Sequence, residues 1–340
     1  MYAETSGNFR VSVGINEFLQ RPSPDWLIDG FIPATGLTLF YGESGAGKTF
    51  FAIDMICAVA NGARWRGKPT KQGSVFLIAA EDSAGTRKRL RAYCVENGID
   101  YADLAMRIVE RNINLMDQGF VDSVIEDIRS LADPKVVLID TLATSAPGVD
   151  ENTSRDMSRF LFHCKKIYED TGVVVIVIHH CGKDHSRGAR GWSGLKAAAD
   201  TVINIQKRSD HMIAGVEKQK NWTSGDVFGF RLKQVHMCPE NQMDASCVIE
   251  HVDSVLDPVD DDLGEVQRKI MRTLSQMVDA GHKVIENDLL ARLVSSDAAP
   301  PDGVRDRRKE KYQRSIRTLL ERGVFLSENG FLSIDDGSPF

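Results

Sequence analysis

The stretch "LFYGESGAGKTFFAIDM", residues 39–55, opens as an apolar run, passes through a loop built on Gly42, Gly45 and Gly47, and continues as an amphipathic segment. Within it, Gly42, Glu43, Ser44, Gly45, Ala46, Gly47, Lys48 and Thr49 fit G-x-x-x-x-G-K-[ST] without a gap. Residues without a Cβ let backbone N–H groups turn inward around phosphate oxygens, and the positive end of the following helix adds to the attraction. In that pattern Lys48 reaches the β- and γ-phosphates of a nucleoside triphosphate, and the Thr49 hydroxyl ligates Mg²⁺. The bland alternative, a chance glycine-rich turn, fits poorly between an expected strand and an expected helix.

Working outward, the same alternation continues. Strands expected at 37–41, 74–79, 136–139 and 173–178 are apolar throughout, and helices are expected at 48–60, 86–97, 121–131 and 154–169. Strands of this kind belong to a mostly parallel sheet covered on both faces, the α/β class. After residue 199, strands follow in quick succession at 201–206, 212–218, 227–234 and 247–252, as hairpins extending one edge. Residues 1–33 carry Pro22, Pro24 and Pro33 and read as an arm. The acidic run "LDPVDDDLGE", 256–265, breaks the periodicity. The expected organisation is therefore an arm at 1–33, a nucleotide-binding domain at 34–255, an acidic linker at 256–264 and a small domain at 265–340. In the small domain Ile270, Leu274, Met277 and Val278 share a helix face, further helices are expected at 286–293 and 309–322, and two apolar runs flank Asn329-Gly330, a hairpin signal. Three helices and a hairpin predict a winged helix-turn-helix.

Composition bounds the class. The 340 residues are 42% apolar and 26% charged, as in a soluble globular protein with room for two domains. A net charge of −6 argues against a wholesale nucleic-acid coat, so any such binding is local. The longest apolar stretch, 173–178, is too short to span a bilayer, and no secretory pattern opens the chain. Six scattered cysteines without a CxxC pair predict reduced thiols in the cytoplasm rather than a zinc or disulfide framework.

Five further stretches carry chemistry. "KVVLIDT" ends an apolar strand in Asp140, where a carboxylate adjoins the crevice at the strand tips and can hold the Mg²⁺ water shell; a plain turn aspartate is the alternative. "VFLIAAED" ends another in Glu81 and Asp82. Glu81 is the candidate base that orients water, and Asp82 a helix cap, unless both are caps. "VVVIVIHHCGKDHSRGARGWSG" places His179 and His180 at a strand tip, before a loop with Lys183, Arg187, Arg190 and Trp192. Either histidine can sense the γ-phosphate, and the loop suits a nucleic-acid strand; the alternatives are a satisfied core histidine and a solvated loop. Adjacent strand residues face opposite ways, which excludes a metal held by both histidines. "GVEKQKNWTSGD" carries Lys218 and Lys220, two apart and so expected on one strand face. They would point at one anion, such as a neighbouring subunit's γ-phosphate, or else make a charged hairpin tip. "RDRRKEKYQR", 305–314, has six Lys/Arg against two acids. In a winged helix it leads into the recognition helix, with Arg307, Arg308, Lys311 and Arg314 near phosphates or a major groove; a solvated helix start is the alternative.

Together these motifs resemble the RecA-like ATPases related to RepA, the hexameric plasmid replication helicase, and more distantly the DnaB replicative helicases. The resemblance covers about residues 25–252 and rests on "GESGAGKT", "AAED", "LIDT", "HHCGKD", "GARGWSG" and "VEKQKNW". It implies Glu81 as catalytic base, Asp140 as the magnesium acid and His179 or His180 as γ-phosphate sensor. It also implies a homo-oligomeric, hexameric ring around single-stranded DNA and no membrane partner, whereas the small domain, with duplex DNA as its expected partner, is read from periodicity alone. At the position of a trans-acting arginine this sequence has Lys220, which lacks the bidentate fork. The expected function is an ATP-driven, ring-forming DNA motor of a plasmid, phage or other mobile element. The rivals are an ATP-switched DNA-binding regulator and a nucleotide-gated scaffold.

Overall fold

The apolar runs are central strands because both of their faces are covered. The computed structural model describes residues 12–20, 25–111, 113–151, 153–180, 194–208, 211–238, 243–252, 265–279, 284–300, 305–321, 325–328 and 331–334. By internal contact the chain divides into two units, Met1–Val255 and Leu256–Phe340.

The first unit opens with a short helix, α1 (Ile15–Leu19), and a small hairpin, β1 (Trp26–Ile28) with β2 (Ile32–Pro33). It continues through β3 (Gly36–Gly42), α2 (Lys48–Asn61), β4 (Ser74–Ala79), α3 (Ser83–Asn97), β5 (Met106–Val109), α4 (Gln118–Arg129), β6 (Pro134–Asp140), α5 (Leu142–Ser145), α6 (Ser154–Thr171), β7 (Val174–His180) and α7 (Gly194–Ala198). Four strands close it: β8 (Thr201–Lys207), β9 (Met212–Gln219), β10 (Val227–His236) and β11 (Ala245–Val252). Among the described residues nine strands form one sheet in the order β11-β10-β9-β8-β3-β7-β6-β4-β5. From β8 to β5 all neighbours are parallel, and β9, β10 and β11 add antiparallel hairpins at one edge.

Side chains alternate across this sheet with the two-residue period of a strand. In β7, Val174, Ile176 and Ile178 face the side of α2, while Val175 and Val177 face the side of α4 and α6. On the α2 side, Phe31, Phe51, Trp65 and Phe228 pack as an aromatic cluster, with Phe31 and Trp65 stacked at 4.8 Å. The edge strand β5 was not expected from the sequence. It has four residues, of which Arg107 and Ile108 are exposed, so no apolar run marks it.

The second unit comprises α8 (Glu265–Asp279), β12 (Val284–Ile285), α9 (Glu286–Ser296), α10 (Arg308–Glu321), β13 (Phe325–Glu328) and β14 (Phe331–Ile334). The three helices pack on each other through Ile270, Leu274, Leu289, Leu293, Tyr312 and Ile316, and the strands form an antiparallel sheet in the order β12-β14-β13. β13 and β14 pair antiparallel, from Phe325 opposite Ile334 to Glu328 opposite Phe331.

Candidate functional site

The tips of four parallel strands, β3, β4, β6 and β7, bring the sequence candidates to one edge of the sheet. The loop after β3 depends on its glycines for two different reasons. At Gly42 a Cβ would collide with the Ile205 carbonyl, so β8 can lie this close only to a glycine. Gly47 caps α2 at φ 86°, a left-handed conformation, and a Cβ there would press on the Phe230 ring.

Lys48 is buried, at 4% exposure. Its ammonium donates to the carbonyls of Gly42 (3.0 Å) and Glu43 (2.6 Å) and lies 3.1 Å from His180 Nδ1. An ammonium is only a donor, so Nδ1 accepts and the imidazole carries its proton on Nε2. That nitrogen faces Glu81 Oε2 at 3.5 Å. Burial first, and then the Lys48 charge, lower the His180 pKa, in keeping with the neutral ring. His180 therefore stands between the P-loop lysine and the acid at the tip of β4.

The magnesium candidates also meet. The Thr49 hydroxyl donates to Asp140 Oδ2 at 3.0 Å. Asp140 is 6% exposed, and its Oδ1 has no hydrogen-bond partner among the described residues. Burial pushes its carboxyl up to about 6 against the opposing Thr49 bond, with the Glu81 charge adding to the rise. A buried carboxylate oxygen beside a hydroxyl is a hard-oxygen pair that fits Mg²⁺ and its waters. Among the described residues no cluster of three His, Cys, Asp or Glu could hold a metal alone, so phosphate oxygens and water would complete the shell.

The acid pair after β4 divides its labour. Asp82 caps α3, accepting from the Gly85 N–H at 2.8 Å and from Arg89 at 3.2 Å. Glu81 is turned to solvent at the strand tips, and its N–H donates to the Asp140 carbonyl at 3.3 Å.

Three expectations need correction. His179 does not share the site. As the next residue of an extended strand it faces the opposite side of the sheet, where it is 2% exposed with its Nδ1 3.9 Å from Glu151. Lys218 and Lys220 are not open to an outside anion here, because each cation has its own partners within the chain. Lys218 donates to the carbonyls of Lys196 (3.2 Å), Ala197 (2.7 Å) and Ala199 (2.6 Å), and Lys220 to Asp200 at 3.1 Å. Arg308 is not presented for binding either. Its guanidinium donates to the carbonyls of Val294 and Asp297 and pairs with Asp306, whose carboxyl it holds down at about 2. It ties the end of α9 to the start of α10. Arg307, Lys311 and Arg314 are exposed. Lys183, Arg187 and Arg190 lie outside the described residues.

Two features of the site escaped the sequence reading. Glu217 accepts from Tyr41 Oη, from Asn204 Nδ2 at 2.9 Å and from Lys196 Nζ at 2.9 Å. Arg89 lies over the Phe50 ring at 5.0 Å. The only local signals were the acid beside Lys218 and the tyrosine before Gly42.

Among the described residues no helix is long and apolar enough to cross a membrane. No curated protein matches the chain. Among solved structures it is similar to a KaiC-like protein from Pyrococcus horikoshii OT3, at 18% identity, a TM-score of 0.46, and coverage of 66% of this chain and 93% of that one. It is also similar to the RadB recombinase (17%, 0.44, 59% and 89%) and to a structure described as an ATPase domain (13%, 0.45, 58% and 81%). The AAA domain family AAA_25 matches residues 4–186, more than half of the chain, including the P-loop, Glu81, Asp140 and both histidines. With that match laid over the converging strand tips and their P-loop, the chain belongs to the AAA domain family AAA_25.

Proposed function

We propose that the chain hydrolyses ATP and uses the reaction to act on DNA as a ring-forming motor of the replication-helicase type, serving a plasmid, phage or other mobile element. One observation carries this reading: His180 touches both Lys48 and the strand-tip acid Glu81 from the strand that leads directly into residues 181–193. A group so placed links the state of the nucleotide to the stretch holding Lys183, Arg187 and Arg190.

The chain's own residues divide the work. Lys48 neutralises charge on the transferring phosphoryl group. Glu81, exposed at the strand tip, orients the attacking water and takes its proton. Thr49 and Asp140 are the residues that would hold magnesium, which when bound neutralises charge on the phosphate oxygens. The neutral His180 offers its Nε2–H toward Glu81, and it loses or gains that contact as the phosphoryl group leaves. In the second unit, three helices and an antiparallel sheet support a winged-helix reading. There Arg307, Lys311 and Arg314 face phosphates of duplex DNA. Lys218 and Lys220, occupied within the chain, have no trans-acting role in this scheme.

The test is the ATPase rate with and without single-stranded DNA, at millimolar magnesium, on protein whose mass in solution is measured alongside. Magnesium-dependent hydrolysis that rises with DNA, from an oligomer, supports the motor. Hydrolysis indifferent to DNA overturns it, and failure to bind ATP removes the mechanism altogether.

A further inference from the structure

The side chain of Glu81 is held by little. It is 43% exposed, and among the described residues its one polar partner is His180 at 3.5 Å. Where its carboxylate stands is therefore set by what fixes the backbone on either side. On one side, Ala79 pairs with Asp140 of β6, and the Glu81 N–H reaches the Asp140 carbonyl. On the other side stands Asp82, the cap of α3.

Asp82 is gripped at both oxygens. Oδ1 accepts from the Gly85 N–H at 2.8 Å, and Oδ2 accepts from Arg89 Nη2 at 3.2 Å. A Cβ at position 85 would collide with this carboxylate, so a glycine admits the pose. Arg89 lies two turns into α3. Helical side chains lean toward the helix start, so a long one at this position returns to the cap. The same guanidinium lies over the ring of Phe50, with Cζ 5.0 Å from the centroid. Phe50 follows Thr49 in the first turn of α2. One side chain thus spans the start of the helix that carries Lys48 and Thr49 and the start of the helix that follows Glu81. Stability does not explain the span. Asp82 caps α3 through Gly85 without it, and the Arg89–Asp82 pair is 21% and 50% exposed, a kind of pair that contributes little.

We propose that Arg89 is a positioning residue for hydrolysis: by clamping Asp82 to Phe50 it sets where the adjoining Glu81 carboxylate stands relative to the P-loop. The inference rests on the reading of Glu81 as the base and adds the group that places it. Arg89 acts through Glu81, so its loss slows the chemical step, leaves ATP binding in place, and matters only while Glu81 is present.

The experiment measures ATP hydrolysis by the full chain at millimolar magnesium for Arg89→Ala, Arg89→Lys, Glu81→Gln and the double variant Arg89→Ala/Glu81→Gln, with a melting midpoint for each. Single-turnover rates serve for the two slow Gln variants. Arg89→Ala should lower kcat by about 10- to 100-fold, the cost of a misplaced catalytic group, with KM and the midpoint unchanged. Arg89→Lys keeps a cation for the ring and a donor for Asp82 without the fork, and should recover part of the loss. Once Glu81→Gln has removed the base, Arg89→Ala should cost nothing further, because groups that act as a unit are not additive. An Arg89→Ala variant with the parent's kcat overturns the inference and leaves the role of Glu81 standing. So does an undiminished loss in the Glu81→Gln background, which marks a role apart from Glu81, and so does a loss that comes with a lowered midpoint and is not recovered by lysine, which marks damage to the fold. Near-parent turnover by Glu81→Gln overturns the reading of Glu81 as the base, and this inference with it.

Discussion

Replacing Asp54 by Asn should stabilise the first unit, by an amount set by a buried charge. Asp54 lies on α2, the helix that the P-loop opens, with 13% of its side chain exposed. Its Oδ2 accepts from the Trp65 indole at 2.8 Å and lies 3.6 Å from His251 Nε2. Burial raises its pKa from 3.8 to about 6, against the Trp65 bond and the Arg66 charge. Between pH 3.8 and about 6 the folded unit keeps a proton that the unfolded chain has released, so this group's contribution to stability falls as the pH rises through that window. At about 1.4 kcal/mol per pH unit, the ionised carboxylate costs the fold about 3 kcal/mol above that window. An Asn amide oxygen at the Oδ2 position keeps the Trp65 donor without the charge. The variant should then melt several degrees above the parent at pH 8, at roughly 2–4 °C per kcal/mol for a unit of this size. At pH 4 the parent carboxyl is largely protonated when folded, and the gap should close. Thermal unfolding followed by circular dichroism at both pH values reads the difference directly. A variant no more stable than its parent at pH 8, or a gap unchanged at pH 4, would refute the buried-charge reasoning.

Other expectations follow from the same geometry. Glu81→Gln should bind ATP with near-parent affinity and hydrolyse it about 10²–10⁴-fold more slowly; near-normal turnover takes Glu81 out of the mechanism. Arg308→Ala removes donors from the Val294 and Asp297 carbonyls and should lower the melting midpoint of the second unit, whereas Arg314→Ala should not; equal effects of the two would count against the tie between α9 and α10. Replacing Arg307, Lys311 and Arg314 together with Ala should reduce the slope of log affinity for duplex DNA against log salt by about 3, read by fluorescence anisotropy. An unchanged slope means that those side chains meet no phosphates.

Much of this protein is written locally. The P-loop is eight consecutive residues, and its chemistry follows from backbone geometry within one turn and one helix start. The central strands announced themselves because strands buried on both faces must be apolar throughout, and the cap at Asp82 because a carboxylate at a helix start meets free N–H groups. The half-exposed edge strand β5 lacked that signature and was missed. So was the β1–β2 hairpin, whose strands are too short to show a period.

What only the tertiary structure decided is which distant residues share an environment. Two histidines adjacent in sequence are separated by the sheet itself, one against Lys48 and Glu81, the other buried near Glu151. Two lysines that the sequence offers to an outside anion are each taken up within the chain, one by carbonyls about twenty residues upstream and the other by Asp200. Arg308 looks like a ligand for phosphate until the end of α9 is seen to occupy it. Tyr41 and Glu217 meet across 176 residues of chain. Spacing along a chain sets which face a side chain takes only while the element stays regular. Past a bulge or a strand end, its partner is chosen by packing between elements that the local sequence does not encode.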